Sequence, residues 1–161
     1  MNVLVVFATK TGVTEAIAQR LKNTCKQTLK LRSVKACKEE DLQAAQAIIL
    51  GTGVYIGRLH RKMRNFIKKH VLTLVEKPLI MYICAGEPEE NMADVLTNSM
   101  PKQVHEHTTH IFHAGGQFRY DAMKPLSRWI IKTAQKSRED AQEPSLNEEN
   151  IKALIHAIDT L

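Results

Sequence analysis

Short apolar runs separated by stretches of helical spacing constrain this chain more than any other feature. Val3-Leu4-Val5-Val6-Phe7, Ala47-Ile48-Ile49-Leu50 and Pro78 to Cys84 are almost continuously apolar. They are short for helices and rich in side chains that favour strands. A strand apolar on both sides must be covered on both sides, which is the condition of a parallel sheet between two helical layers. Leu29 to Lys35, with weaker alternation, and His110 to Ala114 complete an expected set of five strands.

Helical stripes fill the gaps. Ile17, Ala18 and Leu21 follow the first strand, with Thr14 placed as an N-cap. Met63, Phe66, Ile67, Val71 and Leu74 follow the third. Asp121 to Lys136 reads as a helix with Leu126, Trp129, Ile130 and Thr133 on one side. The last helix carries Ile151, Leu154, Ile155 and Ile158, preceded by Ser145-x-x-Glu148 as a capping box. With 161 residues, 43% of them apolar, and no repeat or linker, one domain spanning 1–161 is expected. The apolar run at the N-terminus is too short for a signal peptide and no run approaches a membrane span, so a cytoplasmic location is expected. Cys25, Cys37 and Cys84 lack metal or disulfide spacing and read as reduced thiols. The net charge of +6 favours acidic ligands or partners, or an anionic membrane surface.

Between the first strand and the first helix stand Thr9-Lys10-Thr11-Gly12-Val13-Thr14. Gly12 allows a tight turn, and the helix that follows begins with unpaired amide N–H groups. With three threonine hydroxyls beside them, these amides can hold a phosphate dianion at the positive end of the helix dipole. A monophosphate cofactor is the natural ligand; an unrelated anion, or a purely structural loop, is the alternative. Ala8-Thr9 and Leu50-Gly51 lack the acids of a phosphoacceptor domain, and the loop lacks the cysteine of a phosphatase. Gly51-x-Gly53-x-x-x-Gly57 has neither the spacing nor the position of a dinucleotide fingerprint.

Thr9 to Thr14 match the Thr/Ser-x-Thr-Gly-x-Thr loop of the flavodoxin superfamily, and the chain resembles that family along most of its length. The resemblance implies an α/β, doubly wound five-stranded parallel sheet of order 2-1-3-4-5 with helices on both faces. It implies FMN as cofactor, held by Thr9, Lys10, Thr11, Gly12, Val13 and Thr14. Thr52, Gly53, Val54, Tyr55, Ile56 and Gly57 form the expected ring loop, with Ala85 and Gly86 in a third loop. Within the superfamily, Gly57, His60, Phe66-x-x-Lys69-His70 and Ala114-Gly115-Gly116 with Tyr120, Arg128 and Lys132 resemble bacterial quinone-dependent protoporphyrinogen oxidases. That likeness implies FMN-dependent oxidation of a tetrapyrrole, protoporphyrinogen IX, to protoporphyrin IX in haem biosynthesis, with a quinone as acceptor. No protein side chain is then catalytic, because the flavin carries the chemistry. The alternative is an electron carrier that serves a redox partner protein.

Arg58, His60, Arg61, Lys62 and Arg64, followed by Lys68 and Lys69, form a basic segment without an acid. Together with Arg128 and Lys132, they read either as a surface for porphyrin propionates or anionic membrane, which implies peripheral attachment, or as a solvated helix face. Tyr55 reads as a ring contact or a surface anchor. Glu87, Glu89 and Glu90 read as a solvated turn that would repel anions. His105, His107, His110 and His113 read as surface and strand residues, so no metal is expected, and nucleic acid is not among the expected partners.

Overall fold

The computed structural model describes residues 1–86, 89–116 and 146–161. Strands β1 (Asn2–Ala8), β2 (Thr28–Ser33), β3 (Ala47–Tyr55), β4 (Arg58–Leu59), β5 (Leu79–Cys84) and β6 (His110–Gly115) are joined by seven α-helices among these residues. These are α1 (Val13–Thr24), α2 (Glu39–Ala44), α3 (Arg61–Lys69), α4 (Val71–Val75), α5 (Met92–Ser99), α6 (Lys102–His107) and α7 (Glu148–Asp159). The sheet runs β2-β1-β3-β5-β6, all parallel, and β4 pairs antiparallel with the far end of β3. The five expected strands are therefore the sheet, in the expected order, and β4 is a sixth that the sequence did not announce.

Alternation along the strands divides the core in two. Leu4, Val6, Ile48, Leu50, Met81 and Ile83 point to one face, under Met63, Phe66, Ile67, Leu74 and Val95. Val3, Val5, Phe7, Ile49, Ile80 and Tyr82 point to the other, under Ile17, Ala18, Leu21, Ile151, Leu154 and Ile158. This two-sided burial is what produces the near-continuous apolar runs. The edge strand β2 is mostly half-exposed, which explains its weaker pattern.

Three helix assignments change. Thr14 is not the cap of α1, since Gly12 holds that position in the left-handed region, φ 91°. The single stripe from Met63 to Leu74 is two helices, α3 and α4, broken at His70. Helix α7 is capped by Asn147, whose side chain accepts from the Asn150 amide at 3.0 Å, while Ser145 lies outside the described residues. The expected helix from Asp121 to Lys136 also lies outside them.

Helix α2, unanticipated, is held by polar contacts. Asp41, buried, accepts from the Lys38 amide at 3.0 Å and pairs with Lys30 at 2.5 Å and Arg32 at 3.3 Å. Lys77 donates to the carbonyls of Leu42 and Gln43 in the helix's last turn and of Ala45 just past it, at 2.5, 3.0 and 2.6 Å. A cation at a helix C-terminus meets carbonyls that have no partner within the helix.

Candidate functional site

Ala8 pairs with Thr52, and Gly53 with Cys84, so β1, β3 and β5 end side by side. Three connections leave from these adjacent ends: Thr9–Gly12, the β3–β4 hairpin, and Ala85–Gly86. In a doubly wound sheet this is the switch point between strands, where ligands bind.

The first connection closes on itself. Thr9 Oγ1 accepts from the Gly12 amide at 2.8 Å, and the Gly12 carbonyl accepts from Ala16 at 3.0 Å as α1 begins. The amides of the first helical turn are then left to face outward ligands, as at any helix start. Thr9, Thr11 and Gly12 are half-buried and Lys10 is exposed, while Val13 and Thr14 are buried. The six expected phosphate-loop residues are thus contiguous in space as in sequence. This cradle, wound by a left-handed glycine at a helix start, fits a phosphate monoester chemically.

The second connection is not the open loop that was expected. Thr52 to Tyr55 continue β3, Thr52 being fully buried with its hydroxyl donating to the Gly53 carbonyl at 3.1 Å. Only Ile56 and Gly57 turn, at φ 52° and 69°, before Tyr55 pairs with Arg58 and Val54 with Leu59. Positive φ at both central residues is the two-residue hairpin geometry whose twist matches that of the flanking strands. Asn-Gly or Asp-Gly would have announced it; Ile-Gly did not.

Tyr55 folds back across the mouth of the site. A Cβ on Gly53 would lie 2.7 Å from its hydroxyl, its ring stands edge-on to His60 at 5.4 Å, and Lys10 Nζ sits 5.3 Å from the ring centroid. Burial raises the Tyr55 pKa, opposed by the Lys10 amide that faces the phenol oxygen. His60 Nδ1 accepts from the Lys62 amide at 3.1 Å and so caps α3. Burial, then the Lys62, Lys10 and Arg64 charges, lower its pKa. The mouth is electropositive around a neutral imidazole.

The third connection is tied to β6. Ala85 donates to the Gly115 carbonyl at 3.0 Å, and a Cβ on Gly116 would lie 2.7 Å from the Ala85 carbonyl carbon and the Gly86 amide. Gly115 has φ 80°. This glycine pair lets two backbones approach each other. Ala85 is buried and Gly86 exposed. Of the acidic turn, Glu89 to Asn91 form a short 3-10 segment, and Glu87 lies outside the described residues.

Among the basic residues, Arg58, Arg61 and Lys62 are exposed around the hairpin. Arg64 is turned inward, its Nε donating to the Leu59 carbonyl at 3.0 Å. Tyr120, Arg128 and Lys132 lie outside the described residues. Two residues that hold the site, and one that stands beside it, were not anticipated. Tyr82, expected only as a core strand residue, donates to the Thr14 carbonyl at 2.9 Å. Ser99 accepts from the Leu59 amide at 3.0 Å in a buried bond between α5 and the hairpin. Lys35 stands beside Lys62. None of these sits in a motif, and only the fold brings them to the loops.

Comparison with solved structures agrees with this architecture. The Streptococcus pneumonia TIGR4 flavodoxin is 18% identical, with TM-score 0.55 over 97% of this chain and 94% of that one. The two-electron reduced Megasphaera elsdenii flavodoxin is 16% identical, with TM-score 0.55 over 68% and 80%. A flavodoxin from the domain Archaea is 20% identical, with TM-score 0.53 over 69% and 78%. At these identities the likeness is one of fold. No curated protein matches the sequence. The family model described as flavodoxin domain matches residues 4–145, and with the phosphate loop and sheet order above it follows that the chain belongs to the flavodoxin domain family.

Proposed function

We propose that this chain binds FMN across the ends of β1, β3 and β5 and works as a flavodoxin-type electron carrier. The observation that carries the reading is the closed Thr9–Gly12 turn at the start of α1, beside two further connections at adjacent strand ends. Thr9 to Thr14 would hold the phosphate through main-chain amides and hydroxyls, without requiring a cation. When bound, FMN supplies one- and two-electron chemistry. The residues of this chain bind and orient it, and the Lys10, Arg58, Arg61 and Lys62 charges bias the mouth toward anions. Tyr55 stands where it can cover or contact the flavin ring.

The purified protein should be yellow, with close to one FMN per chain, and the FMN-free protein should retake it. Colourless protein that refuses FMN would overturn the reading.

A second reading, flavin-dependent oxidation of a tetrapyrrole with a quinone acceptor, is favoured by the exposed Arg58, Arg61 and Lys62 beside the hairpin. These suit propionates or an anionic membrane surface. Among the described residues no helix is long and apolar enough to cross a membrane. Anaerobic assay with protoporphyrinogen and a menaquinone analogue separates the two. Protoporphyrin formation favours the enzyme; flavin that cycles only with a reductase favours the carrier.

A further inference from the structure

A cleft of about 440 Å3 opens against the phosphate loop, where β1 and β2 end. Its position is fixed by main-chain bonds: Val34 donates to the Phe7 carbonyl at 2.9 Å, and Ala36 and Cys37 both donate to the Ser33 carbonyl. Lys35, from the segment after β2, and Lys62, from the first turn of α3, converge on it. The Lys35 ammonium lowers the pKa of Lys62. Neither lysine forms an ion pair among the described residues.

Two ammonium groups brought together from separate elements repel each other, and a dianion between them relieves that repulsion. We propose that this cleft is a second anion site, taking the phosphate of a small phosphorylated molecule between Lys35 and Lys62, apart from any phosphate held by Thr9–Thr14. His60 lines the same cleft. Its Nδ1 is committed to the Lys62 amide, which leaves Nε2 as the nitrogen that carries the proton and can donate. The Ser33 hydroxyl is a further polar group on the wall, Phe7 and Val34 give an apolar patch, and Thr9 marks the border with the first loop. Glu15 also lines the cleft. Its carboxylate would repel a bare anion and accept from a hydroxyl, which selects a nucleotide over inorganic phosphate.

The test titrates AMP, and separately inorganic phosphate, into the FMN-saturated protein while backbone amides are followed by NMR. Saturable shifts at Val34, Lys35, Lys62 and Met63 are expected, and the Lys35→Met/Lys62→Met double variant should bind at least about tenfold more weakly. A Lys102→Met/Lys152→Met control should bind as the parent does. Tighter binding of AMP than of inorganic phosphate is expected, and equal binding would overturn the selectivity assigned to Glu15. Absence of shifts at those amides, or unchanged affinity in the double variant, overturns the proposal. If the chain takes no FMN, the same titration runs on FMN-free protein. Amides of Thr11 to Thr14 then report the loop and those of Val34 to Ala36 report the cleft, so the two readings fail separately.

Discussion

The phenol of Tyr82 donates to the main-chain carbonyl of Thr14 at 2.9 Å, joining the middle of the sheet to the first turn of α1 inside the core. The ring reaches that turn over Gly51, where a Cβ would lie 2.1 Å from its Cζ. Tyr82→Phe removes the second donor to a carbonyl that also accepts within the α1 ladder, and should cost about 1 kcal/mol, read as a lower urea midpoint. Gly51→Ala should cost more, about 3 kcal/mol, because neither the ring nor the strand has room to move. An unchanged midpoint in Gly51→Ala would show that the ring can be displaced freely.

Gly12→Val tests the cradle. At φ 91° a β-branched residue is strained by roughly 1–3 kcal/mol, so the loop relaxes and its amides diverge. FMN binding should be lost while circular dichroism still shows the folded sheet and helices. Stoichiometric FMN in this variant would refute the assignment.

Ile56 should be improvable. It is fully exposed at φ 52°, in a turn that favours asparagine before glycine. Ile56→Asn is expected to stabilise the fold by about 1 kcal/mol, measured by chemical denaturation. A loss of stability would mean that the isoleucine makes contacts in solution.

Asp41 sets an acid limb. Its neighbours Lys30, Lys38 and Arg32 lower its pKa from 3.8 to about 2. A carboxylate depressed on folding stabilises the protein above its ordinary pKa and loses that stabilisation as pH falls toward the folded value. Asp41→Asn should cost on the order of 2 kcal/mol at neutral pH and flatten the stability profile between 3.8 and about 2. A profile as steep as the parent's would place the acid sensitivity elsewhere.

His60 works in the opposite direction chemically, with the same sign in pH. Its folded pKa lies below 6.5, so the unfolded chain takes the proton first and stability falls as pH drops through 6.5. His60→Asn keeps an acceptor for the Lys62 amide and should hold stability at neutral pH to within about 0.5 kcal/mol. It should also reduce the loss below 6.5, and an unreduced loss would point to His70, whose pKa is likewise lowered by burial.

How legible each part was depended on the range of the interactions behind it. Strands buried on both faces write themselves as apolar runs, so β1, β3 and β5 could be read directly. The turn from Thr9 to Gly12 and the helix start after it were legible because the glycine and the hydroxyls that shape them are neighbours in sequence. Helix α2 was hidden because ion pairs and the Lys77 ammonium secure it across the chain, while its own apolar pattern is short. The hairpin was hidden because Ile56 adopts a conformation that its residue type disfavours. Tyr82, Ser99 and Lys35 take their roles from partners distant in sequence, which no local pattern records.

The buried bond from the Leu59 amide to Ser99 Oγ fastens the hairpin to α5. The strand that carries this amide pairs with the end of β3 that carries Tyr55, so the setting of the hairpin depends on a hydroxyl forty residues away in sequence.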